Sequence, residues 1–198
     1  MTGVQTCALP IYSLVVQLRC TTGSLKTARE EALKDLQKIG KQFEKQQNSE
    51  TSPNKIHRIQ VCYHQDLGLD LPAIAKACKL SIEEAVRLHK ESLYIADILG
   101  FMPGFAYFSG LNPQLRLPRL ASPRSVVPKG SVAIAELQTA IYPRVTPGGW
   151  NIIGRSPNKL FDIDKNPPGL FMAGDQMQID EISLDEFHRL DQANTSKE

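Results

Sequence analysis

The chain has 198 residues, with 23 Lys plus Arg against 21 Asp plus Glu and a formal net charge of +2. Hydrophobic residues make up 41% and charged residues 22%, which excludes a disordered chain, and the near-balance of charge excludes a generally polybasic nucleic-acid binder. That length suits one medium domain or two small ones, and its longest apolar stretches are far too short to span a membrane.

Residues 1–12, MTGVQTCALPIY, read as a non-native, adapter-like segment and carry no argument about the fold. No secretion signal is expected, because this apolar start lacks a basic leader and a small-residue cleavage site. Ser13 to Arg19 (SLVVQLR) is rich in β-branched residues and predicts a strand. Ser24 can cap a helix running to about Lys45, with Leu25, Ala28, Ala32, Leu36, Ile39 and Phe43 on one apolar stripe. QQNSETSPNK then predicts a loop, and the alternation of Ile59, Val61 and Tyr63 a second strand. Two short helices follow. Asp70 can cap the first, with Pro72 in its opening turn, and Ser81 with Glu84 makes a capping box for the second. Tyr94–Leu99 predicts a strand, and beyond it SVAIAE, QTAIYP, GWNIIGR and QMQIDEIS are the best strand candidates.

Charge is distributed unevenly along the chain. Between Leu99 and Leu160 stand Arg116, Arg119, Arg124, Lys129, Arg144, Arg155 and Lys159 against the single acid Glu136, whereas acids predominate from Phe161 to the end. A cationic block of this kind suits an anion-handling surface if the acidic part packs elsewhere. The same block is dense in proline and glycine, which break helices and favour short strands joined by tight turns. These shifts predict an α+β chain with a truncated α/β domain over 13–98, an all-β barrel domain over 99–188 and a flexible tail over 189–198.

Several chemistries are absent from the pattern. Cys7, Cys20, Cys62 and Cys78 form no CxxC pair and have no zinc-ligand spacing with the histidines, so they predict reduced thiols in a cytoplasmic protein. His57, His64 and His188 have no partner at ligand spacing, and His89 sits near a helix end where a protonated imidazole would meet the dipole favourably. There is no GxSxG elbow and no GxxxxGK[ST] phosphate loop. The segment LPAIAKACKLSIEEAVRLHK has the spacing of a helix-turn-helix, but Glu83 and Glu84 would face phosphate with like charge. It predicts a packed helical hairpin, with no nucleic-acid partner and no membrane partner.

The stretch from 100 to 155 is the most specific. It contains GFMPGFAYFSGL, LPRLASPRSVVPKGSVAIAELQTAIYP and TPGGWNIIGRSP. These resemble the signature of the family that includes the B subunit of bacterial 5-oxoprolinase, allophanate hydrolase subunit 1 and the sporulation-kinase inhibitor, a carboxyltransferase-domain (subdomain C/D type) family. Gly100-Phe101, Pro103-Gly104-Phe105, Tyr107 and Gly110-Leu111 match first, then Pro118-Arg119, Pro123-Arg124, Pro128 and Gly130-Ser131-Val132. Gln138-Thr139, Tyr142-Pro143, Pro147 to Trp150 and Gly154-Arg155 complete the match. Upstream RLHKESLYIADILGF and downstream AGDQMQIDEIS extend the likeness to about Ser13–Glu186. Family members carry a further N-terminal portion, so the resemblance implies a partial ferredoxin-like domain followed by a cyclophilin-like β-barrel.

The resemblance also implies an activity. It points to a subunit, inactive alone, of an ATP-dependent 5-oxoprolinase complex that opens 5-oxoproline to L-glutamate with a sister barrel subunit and a third subunit. ATP would be used in the complex, with no metal site beyond Mg2+ accompanying ATP. A five-membered lactam resists hydrolysis, and phosphorylating its oxygen makes the carbon more electrophilic, so cationic forks would stabilise the phosphoryl group and the substrate carboxylate. Arg119 and Arg124 are the first choices for anion contacts because each follows a proline, with Arg116 and Arg155 behind them. Gln138 could orient the lactam amide or a water, and Tyr142 could donate to a developing oxyanion, Arg124 completing the catalytic set. Pro103, Gly104, Gly148 and Gly149 would bring backbone close to the anion, while Phe101, Phe105 and Trp150 wall off solvent. The competing readings are a histidine-kinase inhibitor that docks its barrel on a partner, and a subunit of an allophanate or other urea-derived amide hydrolase.

Overall fold

The structure, a computed structural model, describes residues 4–9, 13–18, 33, 34, 37 and 55–195. The chain divides into two compact units, Met1–Pro53 and Asn54–Glu198. In the first, β1 (Val4–Leu9) pairs antiparallel with β2 (Ser13–Leu18), Val4 opposite Leu18 and Leu9 opposite Ser13. Of the helix expected over Ser24–Lys45, only residues 33, 34 and 37 are described, all helical, and the rest lies outside the described residues.

The second unit is α+β, with few helices and a nearly closed barrel. Its strands in chain order are β3 (Ile56–Val61), β4 (Tyr94–Leu99), β5 (Ala106–Ser109), β6 (Arg124–Val127), β7 (Ser131–Ala135), β8 (Gln138–Ile141), β9 (Thr146–Gly148), β10 (Asn151–Arg155) and β11 (Gln176–Glu181). Seven of them form one sheet in the order β10-β7-β8-β5-β4-β11-β3, antiparallel except for the β11–β3 pair. The two edges meet. Just past β3, Cys62 N–H donates to the Arg155 carbonyl at 2.8 Å, and Arg155 N–H donates back to the Cys62 carbonyl at 2.9 Å. This bridge joins β3 to β10 and satisfies backbone groups that an open edge would leave unpaired. The remaining strands, β6 and β9, pair as a separate ribbon, Arg124 opposite Gly148 and Val127 opposite Thr146.

Period-two alternation sends side chains to two faces of the sheet. Val132, Ile134, Ile141, Phe108, Tyr94 and Met177 join one large core with Leu71 and Ile74 of helix α1 (Leu71–Cys78) and Ala85, Val86 and Leu88 of α2 (Ile82–Lys90). Ala133 and Ala135 of β7 and Ala140 of β8, with Phe105 just before β5 and Tyr142 just after β8, form a second cluster with Val127, Trp150 and Ile152. With both faces covered, all five residues of β7 are buried, which is why SVAIA reads as a continuous apolar run.

The helix starts depart in part from expectation. Ser81 Oγ accepts from Glu84 N–H at 3.1 Å, but the Glu84 carboxylate turns to Arg87, so the capping box is half made. Asp70 stands at the start of α1 without capping it by its side chain. Its carboxylate accepts from Ile152 N–H at 2.7 Å and from Arg124 Nη2 at 2.5 Å.

His89 is fully buried on α2 and is not the charged helix-end residue that its position suggests. Thr139 Oγ1 donates to the Ala133 carbonyl and therefore accepts from His89 Nε2–H at 3.1 Å, leaving His89 Nδ1 to accept from the Tyr63 hydroxyl at 2.7 Å. Burial lowers its pKa to about 3, so the ring is neutral.

Leu99, where the composition shift suggests a boundary, is the last residue of β4, and β3 and β4 lie in the same sheet as the strands that follow it. Residues 189–195, expected in a tail, continue helix α3 (Leu184–Thr195), whose Phe187 is 1% exposed. Among the described residues no helix is long and apolar enough to cross a membrane, and no group of His, Cys, Asp or Glu is placed to hold a metal ion.

Candidate functional site

The second face of the sheet carries the smaller of the two core clusters. Ala133 stands opposite Ala140, and Ala135 opposite Gln138, so small side chains line the sheet there. Around them the sequence places aromatic rings. Phe105 meets Phe101, Tyr107 and Tyr142 edge-on at 5.2, 4.9 and 5.4 Å between centroids, and Tyr107 lies 5.9 Å from Trp150. Offset and edge contacts of this kind hold the rings in one arrangement. The Arg119 guanidinium sits over the Trp150 ring, 5.8 Å from its centroid, a cation–π contact that fixes an exposed cation at the rim.

The β6–β9 ribbon packs on this cluster through Val127 and Gly148, and requires glycine to do so. A Cβ on Gly148 would lie 2.6 Å from the Tyr142 hydroxyl oxygen, so no other residue permits this approach. The Trp150 backbone N–H donates to the Tyr142 hydroxyl, which leaves that O–H free to donate in turn. Burial pushes the Tyr142 phenol above its ordinary pKa, and the Trp150 hydrogen bond and the Arg119 charge offset only part of that rise. Tyr107 is raised by burial in the same way. Both phenols therefore remain protonated donors at neutral pH.

The residues expected to form a site are only partly brought together. Phe105, Tyr142 and Trp150 share one cluster, Phe101, Arg119 and Gly148 lie against its rings, and Gln138 alternates along the chain with Ala140 and Tyr142, half-buried. Gly149 packs against Pro123 beside it. Arg124 is a strut, since through Asp70 it ties β6 to β10, and its Nη1 is buried with no hydrogen-bond partner among the described residues. Arg116 is exposed, with its Nε 3.3 Å from Glu136. Arg155 donates to the Lys129 carbonyl at 2.7 Å and stacks 5.7 Å over Phe187, apart from the Arg119 cluster.

Pro103 belongs to a different cavity, of about 400 Å³, whose lining also includes Arg144, Lys159, Val145 and Phe161, and Gly104 follows it in the chain. Gly104 has φ +83°, and a Cβ there would lie 2.7 Å from the Phe161 Cβ. Sequence reasoning missed Asp70, which it took for a cap, and Tyr107. It also passed over Arg144 and Lys159, whose only signal was their membership of the cationic block.

Residues 2–171 match the family model described as carboxyltransferase domain, subdomain C and D. The chain is similar to the 5-oxoprolinase B subunit of Bacillus subtilis (strain 168), 44% identical over 134 residues, which is 68% of this chain and 56% of that protein. It is likewise similar to the 5-oxoprolinase B subunit of Escherichia coli O157:H7, 44% identical over 121 residues, 61% of this chain and 56% of that one. The chain thus spans somewhat more than half the length of these curated relatives. Among solved structures it is similar to the conserved uncharacterized protein PH0987 of Pyrococcus horikoshii, with a TM-score of 0.65 at 32% identity, covering 92% of this chain and 81% of that one.

Proposed function

This chain belongs to the family of the carboxyltransferase domain, subdomain C and D, and from that premise we propose that it is the B subunit of a 5-oxoprolinase. In this reading it works in the cytoplasm with a sister barrel subunit and a third subunit to open 5-oxoproline to L-glutamate, coupled to ATP hydrolysis. The relatives named as 5-oxoprolinase B subunits support the assignment, and one observation carries its chemistry. Arg119 is held over Trp150 at the surface of an aromatic cluster that also holds the protonated phenols of Tyr107 and Tyr142.

A small anionic amide fits those groups. Arg119 offers a planar fork to the substrate carboxylate or to a phosphoryl oxygen. The Tyr142 hydroxyl, already accepting from Trp150 N–H, donates to the oxygen on which negative charge develops as the lactam carbon is attacked. Beside the buried rings of Phe105 and Trp150 such a donor acts with little competition from water. Gln138, on the same strand face, offers an amide to the ring nitrogen and carbonyl.

The test is to co-express the chain with its sister and third subunits and measure phosphate release from ATP and glutamate formation with 5-oxoproline. Both should appear only in the full mixture. Arg119→Gln should lower turnover by about 10- to 100-fold while the subunits still co-purify. A co-purified complex that is silent with 5-oxoproline would overturn the reading and direct attention to another amide.

A further inference from the structure

We propose that the cavity on the other side of the Phe101–Phe105 loop is a second binding site, for an oxyanion carried on an apolar body, such as a carboxylate or a phosphate ester. Its volume of about 400 Å³ lies in the range that holds small organic ligands. The walls are Pro103, Pro143, Val145, Leu160 and Phe161, and the charged groups are Lys129, Arg144 and Lys159, with no carboxylate in the lining. The two other cavities of comparable or larger size are lined by both signs, with Lys90 beside Glu181 in each. Arg144 has no hydrogen-bond or ion-pair partner among the described residues, and Lys159 reaches one acid, Asp162, at 3.3 Å, outside the lining.

Arg144 and Lys159 bring positive charge to one recess, and apolar walls reduce the water available to screen it, so the arrangement is favoured by an anion placed beside them. The walls select the rest of the ligand. A free hydrated ion gains nothing from proline, valine and phenylalanine, whereas an oxyanion attached to an aromatic or aliphatic body covers them. The site is preformed. The left-handed backbone of Gly104 lets the loop close directly on Phe161, and Leu160, 4% exposed and hydrogen-bonded through its carbonyl to Leu170 N–H, anchors that wall in the main core.

Calorimetric titration of the full chain alone, at low salt, separates the possibilities. Phenyl phosphate and benzoate carry the two oxyanions on the same ring, inorganic phosphate lacks the ring and benzyl alcohol lacks the charge. At least one aromatic oxyanion should bind, more tightly than inorganic phosphate, and benzyl alcohol should not. Which of the two binds better identifies the native head group as phosphate or carboxylate. Arg144→Gln and Lys159→Gln should each weaken binding about tenfold or more, while Arg189→Gln, a charge change on exposed α3, should leave it unaltered. Absence of binding by both aromatic oxyanions, or binding indifferent to Arg144 and Lys159, would overturn the proposal. Either failure would leave the 5-oxoprolinase reading standing, because that reading is judged by turnover in the complex.

Discussion

Tyr142 shows how much of a site can rest on one hydroxyl and the glycine beside it. Its oxygen is reached by the Trp150 N–H because Gly148 has no Cβ to block the approach, and the remaining O–H is the donor that the proposed chemistry uses. Tyr142→Phe removes that donor and keeps the ring that packs on Phe105. Turnover of the assembled complex should fall by about 100-fold, while urea unfolding should register a loss of no more than about 1.5 kcal/mol. Because burial raises the phenol above its ordinary pKa, the wild-type pH–rate profile should show no limb from Tyr142 between pH 7 and 10. Turnover unchanged in the variant, or lost only in step with stability, would remove Tyr142 from the chemistry. At this scale the motif was informative about the contact of Gly148 with Tyr142, six positions apart, and less so about Arg119, whose ring partner Trp150 lies 31 positions away. It was uninformative about Arg124, whose partner Asp70 lies 54 positions away and looks, in one dimension, like a helix cap. A proline before an arginine stiffens its backbone but does not say which carboxylate it will find.

Between elements, the chain Tyr63–His89–Thr139 links the end of β3, helix α2 and strand β8 through three side chains that water does not reach. A neutral His89 is required on both sides, as acceptor at Nδ1 and donor at Nε2. Its folded pKa of about 3 lies below the unfolded value near 6.5, so between those two values the unfolded chain binds the extra proton. This contribution to stability is whole above about pH 6.5 and is lost as the pH falls, at up to about 1.4 kcal/mol per pH unit. Urea midpoints of wild type and His89→Gln at pH 7, 6 and 5 should therefore converge on acidification, and midpoints a constant distance apart would show that His89 does not titrate on unfolding. The strands that alternate or run apolar, β4, β7, β8, β10 and β11, were legible in the sequence. Others were not. β5 is four residues between two glycines, β9 contains Pro147, and α3 offers few apolar residues beyond Leu184, Phe187 and Leu190, so an acidic stretch concealed a helix anchored by Phe187 under Arg155.

For the whole molecule, the opposed charges of block and tail do not simply cancel. Asp162 meets Lys159 of the block, but Asp180, Glu181 and Glu186 pair with cations outside it, Arg58, Lys90 and Arg189, while Arg119 and Arg144 have no acidic partner among the described residues. The positive face survives because the barrel closes with its acids elsewhere, and closure depends on the seam between Cys62 and Arg155. Gly154 is the residue that permits it. A Cβ there would lie 2.8 Å from the Cys62 carbonyl oxygen and 3.0 Å from Val61 Cγ1, a collision with backbone that no rotamer relieves. Gly154→Ala should cost about 1–3 kcal/mol, and amide exchange should accelerate at Cys62 and Arg155 while Ala133 and Ala140, in the β7–β8 pair, keep their protection. The effect should also reach the aromatic cluster, because β10 carries the Ile152 N–H that holds Asp70, and Asp70 holds Arg124 in the ribbon whose Gly148 meets Tyr142. Weaker turnover in the complex with the seam opened would tie closure to function through that strut. Full stability with unchanged exchange at Cys62 would mean that β10 stays in place without the seam, and that the sheet needs no closure to position the site.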